Sequence, residues 1–210
     1  MSPALERLAR DARGLGARRR LAKSWPTLLF FTDPVRTPDP AAIARRLPPG
    51  SGVVFRAFGA ASARAQGLEL ARVVRRRRLV LFVGSDPELA RALGADGLHL
   101  PERDALRKGR NRALRARFWL SAAAHDEPAI RRATAAGVEA LVISPVFPSR
   151  SPSAGKPLGP LRFAHLARLS DLPVYALGGV SNSTAKRLRA SAAAGLAAIE
   201  AFGNVAASRT

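Results

Sequence analysis

RFWLSAAAHDEPAIRRATAAGVEALVIS, residues 117–144, holds the repeating unit of this chain. Arg117–Ser121 is a short apolar run that reads as a strand buried on both faces. Glu127–Ala136 is rich in helix formers and stops at Gly137, a residue free to adopt the left-handed C-cap. Glu139–Ser144 is apolar again. Strand, helix and strand in close succession make the βαβ unit of a parallel sheet.

The same rhythm extends in both directions. Upstream, Thr27–Thr32, Gly52–Phe58, Arg78–Val83 and Asp96–Leu100 read as strands. Pro40–Leu47, Ala61–Arg75, Asp86–Leu93 and a weaker Asp104–Leu114 read as the helices between them. Downstream come a helix at Leu161–Leu169, a strand at Pro173–Leu177, a helix at Thr184–Ala194 and a strand at Ala197–Ala201. Eight strands over about 180 residues predict an α/β fold, a compact (β/α)8 TIM barrel, although ~250 residues is more typical. The rival, an open doubly wound sheet, usually brings a glycine-rich turn after its first strand. Here that turn is Thr32-Asp33-Pro34, without glycine, which favours the barrel. Residues 1–23, with Leu5, Leu8 and Leu15 at helical spacing, read as a short basic N-terminal extension, and 24–210 as the barrel domain.

Composition narrows the function. With 210 residues, 47% hydrophobic and 24% charged, the chain can bury a full core, which excludes disordered and collagen-like order. No apolar run approaches the ~18–20 residues of a membrane span, and the N-terminus lacks the apolar stretch of a secretory signal. Cysteine is absent, which excludes disulfides and thiol chemistry and agrees with a cytoplasmic location. Lys+Arg 35 against Asp+Glu 15 gives a net charge of +20, suited to phosphates and polyanions. The arginines lie along nearly the whole chain and aromatics for base stacking are few, which argues against nucleic acid as the partner. Arg75–Arg78 falls at the end of the barrel opposite the chemistry and reads as a solvated patch.

Barrel chemistry sits where strands end and βα loops begin. Gly178-Gly179 precedes a helix after strand seven, where backbone N–H groups can approach an anion; a plain tight turn is the alternative. Glu200, at the end of strand eight, opposes an anion there. The loop Ser144–Gly159 carries Ser149, Arg150, Ser151 and Lys156, groups suited to closing over an anionic substrate; a merely polar loop is the alternative. A carboxylate such as Glu102 or Asp104 has the chemistry to hold a hydrated Mg²⁺ bridging a pyrophosphate, or simply to solvate the surface. His99 alternates with Leu98 and Leu100 and so points into the barrel.

These stretches together resemble the thiamine-phosphate synthase / thiazole tautomerase family. The resemblance is carried by LLFFTD, LARALGADGLHLPERD, RRATAAGVEALVISPVFPSRS, PVYALGGVSNSTAKRL and AGLAAIEAF, in family order from about residue 27 to 202. It implies a transferase of thiamine biosynthesis that joins aminopyrimidine-methyl pyrophosphate to thiazole phosphate, with Mg²⁺ and basic residues neutralising the departing pyrophosphate. It also implies small phosphorylated substrates as partners and leaves a homo-oligomer open. Position by position, the match is uneven. Of the family's Gln-x-Arg-x-Lys on strand two only Arg56 remains, with Val54 and Phe58 at its flanks. The metal-binding Asp after strand three is Ser85, whereas the second metal carboxylate survives as Asp104. The strand-five serine, a pyrimidine contact, is Ser121. Ser149 and Ser151 keep the hydroxyls of the strand-six loop, where Arg150 or Lys156 replaces a lost lysine. Gly178 and Gly179 keep the thiazole-phosphate turn. The tautomerase histidine would fall on Ala123, two places before His125. The implied activity is therefore a synthase with a partly degenerate pyrophosphate and metal site. A tautomerase or related isomerase using His125, or a non-catalytic binder of phosphorylated thiamine intermediates, are the alternatives.

Overall fold

The computed structural model describes residues 2–19, 25–105, 108–151 and 155–202. Eight parallel strands, β1 (Leu28–Phe31), β2 (Gly52–Phe55), β3 (Val80–Gly84), β4 (Gly97–Leu100), β5 (Trp119–Ala124), β6 (Ala140–Ile143), β7 (Val174–Ala176) and β8 (Gly195–Ala198), close in sequence order. The ring shuts by β1 pairing with β8, Phe30 beside Ala198. Around it lie α1 (Pro3–Arg19), α2 (Pro40–Ala44), α3 (Ala63–Arg77), α4 (Pro87–Leu93), α5 (Lys108–Arg115), α6 (Glu127–Ala135), α7 (Gly159–Arg168) and α8 (Asn182–Ala185). The expected (β/α)8 barrel is the fold found.

Helix starts follow local chemistry. Asp39, Asp86 and Asp126 each accept N–H bonds from the first turn of the helix that follows, with proline one or two places on (Pro40, Pro87 and Pro128), where its missing N–H costs nothing. Strand parity then separates two cores. Leu28, Phe30, Val53, Phe55 and Leu81 face outward onto the helices, among them Leu8 and Ala12 of α1. Leu29, Phe31, Val54, Phe82, Val142 and Tyr175 fill the barrel interior. At its N-terminal end Trp25 stacks on Phe82 with centroids 5.5 Å apart and lies 5.6 Å from Trp119, and the Tyr175 hydroxyl donates to Pro26 O. Among the described residues this aromatic plug fills the N-terminal end of the barrel, which is a packed core rather than a pore.

Several boundaries differ from the sequence reading. β5 starts later than Arg117 because the N–H groups of Arg117 and Phe118 both bond to Leu114 O and close α5. It then runs on to Ala124, pairing Ala123 with Val142, so Ser121 lies inside the strand rather than at its end. β8 occupies Gly195–Ala198, not Ala197–Ala201. After Ala198 the chain turns through Glu200–Phe202, which buries Phe202 edge-on against Phe30 at 5.4 Å. The helix expected at Thr184–Ala194 is instead α8 with a 3-10 turn at Lys186–Leu188.

Candidate active site

Inward parity carries Arg56, Ala123, Ser144, Leu177 and Ile199 to the level above the buried interior, at the C-terminal ends of β2, β5, β6, β7 and β8. Two cavities open there. The smaller, about 470 Å³, is lined by Gly178, Gly179, Ser149, Ser151, Arg36, Arg150, His125 and Glu200. The larger, about 1070 Å³, lies over β2–β4 and is lined by Phe58, Arg64, Ser85, Asp86, His99 and Arg103. Arg56, Ser144 and Leu177 line both, so the two spaces meet at those side chains.

Arg56 is held from several sides. Its backbone N–H donates to Thr32 Oγ1 at 2.9 Å and its Nε to Thr32 O at 2.8 Å. Phe31 and Phe58 cover its guanidinium at 5.4 and 5.3 Å. Nη2 is buried without a hydrogen-bond partner, its approach to Asp33 Oδ2 being 3.8 Å. Burial lowers the guanidinium pKa to about 10, Asp33 opposing the shift and Arg36 adding to it, so the charge persists at neutral pH. Asp33 is spent on Arg36: it accepts the Val35 and Arg36 N–H groups and pairs with Arg36 Nη2 at 2.7 Å. Burial raises its pKa, but these bonds outweigh it and bring the value down to about 2. Arg36 was not singled out from the sequence; it comes from a loop whose turn, Asp33 to Thr37, showed only as a polar stretch.

The glycine turn lines the smaller cavity, and its backbone requires glycine. Gly178 and Gly179 have φ of 93° and 62°. A Cβ on Gly178 would stand 2.7 Å from Pro145 Cα, and one on Gly179 would run into Pro148 O. Leu177 O accepts from Val146 and Gly178 O from Phe147, so the loop after β6 lies directly on the turn. Among the described residues, no group accepts from the N–H of Gly178 or Gly179, which leaves these donors for a ligand. Glu200 pairs with Arg150, Nη2 to Oε1 3.0 Å, and both line the smaller cavity, so neither stands there as an isolated charge.

The remaining residues divide. His125 lines the smaller cavity with Nδ1 2.7 Å from Glu102 Oε2, and Arg132 approaches the other oxygen of Glu102 at 3.4 Å. Ser121 is buried beneath the larger cavity and lines neither. It donates to Leu98 O at 3.3 Å and lies 3.0 Å from His99 Nδ1. Both contacts are satisfied when His99 Nδ1–H donates to Ser121, and His99 lines the larger cavity. Ser121 thus positions His99, the residue that reaches the cavity. Lys156 is exposed and, like Asp104, is not among the lining residues of either cavity. A divalent hard cation needs several oxygen ligands converging. Ser85 supplies only a hydroxyl, Asp104 stands aside, and Asp86 Oδ1 is taken by the N–H groups of Glu88 and Leu89. Among the described residues no group of three or more His, Asp or Glu is arranged for a metal ion, and this donor set does not fit Mg²⁺.

Fold and site define the class: a small (β/α)8 barrel with a polar, two-part cavity at the C-terminal ends of its strands. The family model described as thiamine monophosphate synthase matches residues 30–202, and the chain belongs to that family. A thiamine biosynthesis bifunctional protein of Symbiobacterium thermophilum is 34% identical over 128 residues, 60% of this chain and 27% of that protein. A thiamine-phosphate synthase of Lactococcus lactis subsp. cremoris is 28% identical over 132 residues, 62% of this chain and 61% of that protein. The matched stretch thus covers less than two thirds of either relative's length. Among solved structures, thiamine phosphate pyrophosphorylase from Pyrococcus furiosus has the same fold, with a TM-score of 0.73, 20% identity, and 86% and 88% of the two chains covered. No described helix is long and apolar enough to cross a membrane.

Proposed function

We propose that the protein is a thiamine-phosphate synthase, acting on aminopyrimidine-methyl pyrophosphate and thiazole phosphate. The observation that carries this reading is the pair of cavities meeting at Arg56, a layout suited to two substrates whose reacting ends must touch. Thiazole phosphate takes the smaller cavity, its phosphate on the free N–H groups of Gly178 and Gly179 and on the hydroxyls of Ser149 and Ser151. The pyrimidine pyrophosphate takes the larger. The methylene C–O bond breaks with its electron pair leaving on pyrophosphate, and the thiazole nitrogen then supplies the pair for the new C–N bond. No proton moves in either step. Arg56, fixed between two rings, is the cation beside which that charge develops.

One observation favours a second reading. His125 with Glu102 at 2.7 Å is a base held by a carboxylate inside the smaller cavity, as a tautomerase of the thiazole would require. Incubation with both substrates, with thiamine phosphate detected directly, separates the two. Product that falls by about a hundredfold in Arg56→Ala supports the synthase, the size expected for loss of one preorganised charge. No product, with thiazole isomer interconversion lost in His125→Ala, supports the second.

A further inference from the structure

The cations of the two cavities are differently placed. In the smaller one Arg36 and Arg150 each hold a carboxylate, Asp33 and Glu200. In the larger one, whose lining also carries Asp86 and Glu88, Arg64 and Arg103 have no carboxylate partner among the described residues, and Arg56 lies on the same lining. Arg64 sits in the first turn of α3, whose N-cap Ser62 makes no side-chain cap. Arg103 sits in the short turn Glu102–Asp104 after β4. The loops after β2 and β4 thus bring two guanidinium groups to the wall where Ser85 offers no charge.

We propose that Arg64 and Arg103, with Arg56, form a seat for a pyrophosphate group that works without a metal ion. The inference rests on the synthase reading, since that reading supplies the pyrophosphate. The chemistry is substitution of fixed guanidinium forks for a bridging cation. Each fork offers parallel N–H donors to adjacent phosphate oxygens.

Calorimetry with inorganic pyrophosphate, in EDTA and in Mg²⁺, tests this on the full chain. Binding in EDTA is expected within about threefold of that in Mg²⁺, a difference under ~0.7 kcal/mol. Arg64→Ala with Arg103→Ala should weaken it by about tenfold or more in EDTA, the scale of charge-assisted bonds. Arg7→Ala with Arg13→Ala, exposed on α1 and lining neither cavity, controls for net charge and should leave binding unchanged. Binding that requires Mg²⁺, binding untouched by the first double variant, an equal loss in the control, or no binding in either buffer overturns the proposal. Product formation is read separately. Turnover that EDTA abolishes sinks the metal-free seat and keeps the synthase; pyrophosphate held in EDTA without turnover keeps the seat and sinks the synthase.

Discussion

His99 shows how one side chain ties the site to the stability of the barrel. Its ring meets Phe31 edge-on at 5.0 Å, and Ser121 fixes Nδ1. Burial lowers its pKa from 6.5 to about 3, and the charge of Arg56 adds to the shift. The folded state therefore resists a proton that the unfolded chain accepts. Stability is full above pH 6.5 and falls as the pH drops from there toward 3, by up to about 1.4 kcal/mol per unit. Asp33 acts in the same direction but only below its ordinary value of 3.8, so above that value the effect belongs to His99. The melting temperature of the wild type should fall between pH 7 and 5. In His99→Gln, which keeps a hydrogen-bonding side chain but takes up no proton, that fall should shrink. Equal slopes in the two proteins would show that His99 is not the group responsible.

At the scale of elements, the turn after β7 and the loop after β6 form one unit. Gly179 is left-handed, and its Cβ position is taken by the carbonyl of Pro148. Gly179→Ala adds backbone strain and a clash that only a shift of the loop relieves. We expect it to cost about 1–3 kcal/mol in denaturant unfolding and to weaken inorganic phosphate binding by calorimetry. Unchanged phosphate affinity would separate the turn from the ligand. That these glycines form a turn after β7 was legible in the sequence, with a plain tight turn as the alternative to a ligand site. Their contact with Pro145–Pro148 was not, since it joins two loops far apart in the chain. The strand order was legible as well: short runs apolar on both faces fit only a covered parallel sheet. Strand ends were less so. Ser121 reads as a terminus by polarity, yet it lies within β5, where His99 and Leu98 O satisfy its hydroxyl. The run Arg75–Arg78 is exposed, as expected of a solvated patch, but Arg75 and Arg77 also donate to Leu93 O and Leu47 O, near the C-terminal ends of α4 and α2. That use depends on where α2 and α4 end in space, which residue types alone do not state.

Across the whole molecule, the sequence divides at residue 23, whereas the packing crosses that line. α1 contacts β1, β8 and α8, so it lies over the seam where the first and last strands close the ring. Leu5, Leu8, Ala9, Ala12 and Leu15 are all buried in the core that backs the sheet. Asp11, mostly buried, pairs with Arg189 at 2.9 Å beyond the turn that extends α8. A barrel needs a helix over every strand pair, and a seam left bare would expose apolar strand faces to water. The periodicity of Leu5, Leu8 and Leu15 announced an amphipathic helix but not the surface that receives it. We therefore expect residues 1–19 to be needed for the fold. Leu8→Ala, at a fully buried site, should lower unfolding free energy by about 2–5 kcal/mol. Removal of residues 1–19 should abolish a single cooperative thermal transition by circular dichroism. The tryptophans report independently, because Trp25 and Trp119 pack inside the ring, away from α1. If their emission in the truncated protein still reports a native plug and its melting temperature is unchanged, α1 is an appended segment and the barrel closes without it.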